Sequence, residues 1–173
     1  MRVEMESMAV EMPAVEGHPN RRAFRGVLTT VNRASDRAPS GARGHRVLLT
    51  GEATEAAIPS LLGMALDYAP ELDRHDARRK VGIITRAEVA AAATGRGEVL
   101  EVSGYLFAKD FPEIVDEIAQ RGASELGMSY EIADVSVADV DSPVWAVTAC
   151  TFTGAAVLKR NKAAYGETWV RLE

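Results

Sequence analysis

Strand-like runs, separated by connections too short for regular helical crossovers, constrain the fold of this chain more than any other feature. FRGVLTTV (24–31), RVLLTGEA (46–53), RRKVGIITRAEV (78–89), EVLEVSGYLF (98–107), LGMSYEIADVSV (126–137) and VWAVTACTFTG (144–154) are rich in β-branched and aromatic residues. The run at 98–107 alternates cleanly. Val99, Glu101, Ser103 and Tyr105 fall on one face, and Leu100, Val102, Gly104 and Leu106 on the other. Helical patterns are fewer. AAIPSLLGMAL (56–66) is a short apolar helix that tolerates Pro59 only near its start. FPEIVDEIAQRG (111–122) has Asp110 as N-cap, Glu113 to complete a capping box and Gly122 to end it. AAVLKRNKAAY (155–165) reads as a last helix beginning straight after a strand. Strands outnumber helices. The pattern predicts an α+β domain, a mostly antiparallel closed β-barrel surrounded by short helices.

The 173 residues suit one domain with a single core. Residues 1–23 read as a disordered tail, because glutamates interrupt every apolar pair and Pro13, Gly17 and Pro19 break any helix. That leaves 24–173 as the domain. A formal net charge of −5 gives no overall drive toward nucleic acid or an anionic membrane face. No apolar run approaches the roughly 20 residues that span a bilayer. The glutamates near the start are incompatible with the apolar core of a secretory signal, so the expectation is a soluble intracellular domain. Cys150 has no cysteine to pair with, and its apolar strand makes it a small buried hydrophobe rather than a nucleophile.

Few residues can carry chemistry. The P-loop, G-x-G-x-x-G, G-x-S-x-G and H-E-x-x-H patterns are all missing, and nothing calls for a cofactor or metal. His18 lies in the tail, and His45 ends the arginine-rich stretch 32–46, which is either a surface loop or a binding element. His75 precedes a strand and is the best-anchored histidine. Ser129 sits in a strand beside glycine, and a serine hydroxyl needs a base to act as a nucleophile near neutral pH. Within that strand Ser129 and Glu131 share the face opposite Met128, Tyr130 and Ile132. Gly127, on the Ser129 face, leaves room for a peptide backbone.

The order of the segments adds to this. HDARRKVGII (75–84), VSGYL (102–106), an amphipathic helix, LGMSYEI (126–132) and VTACTFTGAAV (147–157) follow one another along residues 24–165. That series resembles the prohead maturation proteases of tailed bacteriophages, relatives of the herpesvirus assemblins. The resemblance implies a serine protease on a closed barrel, with Ser129 as nucleophile and His75 as general base. It implies phage scaffold and major capsid protein as substrates, inside proheads assembling in the bacterial host cytoplasm, with self-association left open. The amides around Gly154-Ala155-Ala156, at the start of the last helix, would hold the oxyanion. The tail would be removed by self-cleavage.

One element departs from the pattern. Relatives read like E-x-S-x-V-x-x-P-A on the strand entering the last helix; aligned on Phe152, this chain has Ala146 at the acidic position and Thr148 at the serine. Asp139, Asp141 or Thr148 could orient His75, or a Ser-His dyad could act alone. Two other readings stay open: a non-catalytic capsid-assembly or scaffold component of the same fold, and an unrelated small-molecule-binding barrel.

Overall fold

The computed structural model describes residues 8–11, 13 and 15–173. Its elements run β1 (Met8–Ala9), β2 (Arg22–Val31), β3 (Arg46–Leu49), α1 (Gly51–Leu61), β4 (Ala65–Asp67), β5 (Lys80–Ala91) and β6 (Glu98–Leu106). Then follow α2 (Pro112–Glu125), β7 (Leu126–Val137), β8 (Val144–Lys159), a 3₁₀ turn (Arg160–Lys162) and β9 (Trp169–Leu172). The fold is α+β, and the strands join one sheet in the order β3-β8-β4-β5-β6-β2-β9, with β1 added to β5 and β7 to β8. Among the described residues only the β3–β8 and β4–β8 pairs are parallel.

The sheet curls into an open half-barrel, not the closed barrel expected from the sequence. The would-be seam lies between β7 and the β2–β9 edge, and no ladder joins them among the described residues. Side chains fill it instead. Any Cβ on Gly26 would collide with the Met128 sulfur and the Trp169 carbonyl, and one on Gly127 would lie 2.6 Å from Thr168 Oγ1. The space at Gly127 is therefore taken by the chain itself, not left for a substrate.

The core lies inside the curl, built from Phe24, Leu28, Leu100, Leu106, Phe152 and Val157 with Ile114 and Ile118 of α2. Leu100, Val102, Gly104 and Leu106 are buried, as the alternation of β6 requires. Pro112 opens α2 at the position where a missing N–H costs nothing, and Gly122 breaks it with φ of 56°. Asp110 does not cap this helix; its carboxylate accepts from Asn20 Nδ2 at 2.7 Å. The first helix starts earlier than expected, at Gly51, capped by the Thr50 side chain on the Ala53 N–H. Pro59 consequently sits late in it.

The last expected helix does not form. Residues 155–159 continue β8, with Ala155, Ala156 and Val157 buried in mid-sheet. Alanine favours a helix in isolation, but a run buried on both faces follows its neighbours. There is no helix start at Gly154-Ala155-Ala156 to hold an oxyanion; Ala155 and Ala156 pair with Tyr130 and Ser129. The stretch read as a disordered tail contributes β1, with Val10 N–H donating to the Thr85 carbonyl at 2.7 Å. Residues 1–7, 12 and 14 of that tail lie outside the described residues.

Candidate active site

β8 organises the site because it is paired along both edges. On one edge β7 runs antiparallel and sets Ser129 opposite Ala156. On the other, β4 runs parallel and sets Asp67 opposite the same Ala156. Residues directly opposite each other in a sheet point to one face, so Asp67 and Ser129 flank the Ala156 methyl, about 10 Å apart across two strand spacings. Glu131 lies two residues on from Ser129 on the same face, opposite Gly154. A bulge follows between Glu131 and Ile132, so the pairing that aims these two side chains is intact up to that point.

His75 comes from the turn-rich link between β4 and β5, and Asp67 folds that link. Its Oδ1 accepts from the Asp76 N–H at 3.1 Å, and its Oδ2 accepts from Lys80 Nζ at 3.2 Å. The Leu72 carbonyl ties the same link to β8 by accepting from the Lys159 N–H at 2.7 Å. His75 Nδ1 then lies 3.6 Å from Asp67 Oδ1 and 3.5 Å from Glu131 Oε1. Both separations exceed hydrogen-bond length, and both ring nitrogens are buried without a hydrogen-bond partner. Burial alone would push the Asp67 carboxyl up. The His75 ring, the Asp76 N–H and the Lys80 ammonium outweigh it and hold the group below the ordinary aspartate value.

Ser129 and His75 line one cleft of about 890 Å³, together with Glu131, Trp145 and the loop around Arg37 to Ala42. The arginine-rich stretch is thus a wall of the cleft. It is pinned by Ser35, which accepts from the Val47 N–H at 2.9 Å, and by Asp36 Oδ2, which accepts from the Gly166 N–H at 2.6 Å. Arg37, Arg74 and Lys162 place cations around the opening. His45 is fixed as well. Its ring stacks on Trp145 at 4.4 Å, with Nδ1 2.8 Å from the Ser142 carbonyl oxygen.

The pair expected from the sequence, His75 and Ser129, is therefore brought to one cavity. The acids considered for His75 are not. Asp139 closes the β7–β8 turn by accepting from the Asp141 N–H at 2.9 Å, and Thr148 Oγ1 faces the Ser136 carbonyl. Among the described residues, the carboxylates nearest His75 are Asp67 and Glu131. One signal for Asp67 was available: a single aspartate closing the apolar run GMAL just before Tyr68, where a buried charge needs partners. Comparison of the chain with protein-family models, curated proteins and solved structures returns no match.

Proposed function

We propose that this chain is a serine endopeptidase of phage head maturation, cleaving scaffold and capsid protein inside the prohead. In this reading Ser129 is the nucleophile, His75 the general base, and Asp67 the acid that orients the imidazole. The observation that carries it is the shared row on β8, with Asp67 and Ser129 opposite Ala156 and His75 in the same cleft. An imidazole over the small Ala156 side chain can face a carboxylate with Nδ1 and a seryl oxygen with Nε2. A larger residue at 156 would occupy that space.

The steps follow from the groups. His75 Nε2 takes the proton of the Ser129 hydroxyl as its oxygen adds to the peptide carbonyl carbon. The imidazolium, with its Nδ1–H toward Asp67, hands the proton to the leaving amine as the C–N bond breaks. Water, deprotonated by the same nitrogen, then opens the acyl-enzyme. Separations of 3.5 and 3.6 Å at Nδ1 match the loose geometry common before substrate binds. The order of HDARRKVGII, VSGYL and LGMSYEI along the chain supports the phage substrates.

A fluorophosphonate probe tests the chemistry. Labelling of the wild type, at a peptide containing Ser129 and lost in Ser129→Ala, is the expected result. A wild-type chain that resists the probe while folded would overturn the reading.

A further inference from the structure

We infer that Asp67, His75 and Glu131 form a binding site for a zinc-class divalent cation, and that the ion silences the peptidase proposed above. The second half rests on that functional reading; the first does not. One oxygen or nitrogen from each of the three residues lies within 4.8 Å of the others. The two contacts to His75 Nδ1, at 3.6 and 3.5 Å, are too long for hydrogen bonds. They are close to the spacing of about 3.4 Å between ligand atoms that sit about 2.1 Å from a tetrahedral ion. A histidine with both nitrogens buried and without a hydrogen bond, facing two carboxylates at ion-pair distance, has the donors of a coordination site.

The surroundings fit the same reading. Asp67 is fully buried and fixed, with Lys80 on Oδ2 and the Asp76 N–H on Oδ1, as a ligand held by neighbours should be. Glu131 is 44% exposed and faces the cleft, which gives an ion a way in and leaves a coordination position open to water. One imidazole with two carboxylates suits zinc and cobalt better than calcium or magnesium, which prefer oxygen alone.

Coordination would act on the proposed chemistry through the tautomer. An ion on Nδ1 takes that lone pair, so the neutral ring carries its single proton on Nε2. Nε2–H cannot accept the Ser129 proton. No bond to Ser129 is needed for the inhibition, and removing the ion restores the base.

The test is titration of zinc chloride into the full chain by calorimetry, with cobalt(II) absorption as a second readout. The expected result is one ion per chain and an intense visible cobalt band, both lost in His75→Ala. Glu131→Gln, at a half-exposed position where folding is not at risk, removes a direct ligand and should weaken binding by more than the roughly tenfold that loss of an outer-shell partner can cost. Binding unchanged in His75→Ala, or no saturable binding to the wild type, would overturn the site. For the switch, fluorophosphonate labelling of Ser129 should fall as zinc saturates and return with EDTA. Labelling indifferent to bound zinc would refute the switch alone. Zinc binding without any labelling of metal-free protein would refute the peptidase, and the switch with it, and leave the ion site standing.

Discussion

Asp67 and Ser129 stand opposite one residue, Ala156, from the two edges of β8. Neither is near the other in sequence, and both owe their aim to the register of a single strand. A slip of one residue in β7 would turn Ser129 inward and bring Met128 and Tyr130 out. Met128, 1% exposed and packed over Gly26, holds the register against that slip.

His75 supplies the base, so His75→Ala should remove Ser129 labelling and peptide cleavage together. The ring is anchored by no hydrogen bond, so the thermal midpoint should fall by no more than a few degrees, corresponding to about 1 kcal/mol. Cleavage within about tenfold of wild type would take His75 out of the mechanism.

Gly104 sets how closely β5 and β6 approach. A Cβ there would overlap the Ile83 carbonyl oxygen, a backbone atom that cannot swing aside. Gly104→Ala should cost about 3 kcal/mol or more, lowering the midpoint by about 6–12 °C. A midpoint equal to wild type would mean that β5 and β6 are not packed this tightly.

Much of the sheet was legible from local pattern, and the reasons for the exceptions are physical. β6 and β7 fall within a residue of the runs read from alternation, because each has one face in the core. The end of β8 was misread because Ala155, Ala156 and Val157 show no alternation when both faces are buried. Openness of the barrel depends on whether β7 bonds to β9, a pairing that neither strand's pattern encodes. In the site, His75 and Ser129 stood out by residue type and order. Asp67 did not, because its proximity comes from a parallel pairing of β4 with a strand almost ninety residues later.

Cys150 is a free thiol whose titration burial pushes above the ordinary cysteine value. The thiolate is the reactive form, so alkylation by iodoacetamide should be slower than for an exposed thiol near pH 8. The rate should rise as pH increases through and beyond the usual thiol range. Mass spectrometry of the native chain over a pH series measures this. The side chain is half-buried rather than buried as expected, so rapid stoichiometric labelling near pH 7 would show a thiol that is not raised at all.

Two carboxylates face His75, and their surroundings decide which one orients it. Asp67 is fully buried, with hydrogen bonds to both oxygens, so it is in place before substrate arrives and pays no further ordering cost. Glu131 is 44% exposed and makes its closest charged contact with His75 from a side chain that water reaches. Asp67→Asn keeps the shape and the Asp76 contact but removes the charge that stabilises an imidazolium. Its cleavage rate should fall by about 10⁴-fold, the order seen when a triad acid becomes an amide. Glu131→Gln should lose less than about tenfold in metal-free buffer, because water screens an exposed charge. Circular dichroism on both variants would separate a lost charge from a lost fold, since an Asp67→Asn amide that keeps the Asp76 contact turns its NH2 toward Lys80 and leaves that ammonium without its acceptor. The reverse ranking, with Glu131→Gln the more damaging in two folded variants, would give the orienting role to Glu131 and reduce Asp67 to an anchor for the link that carries His75.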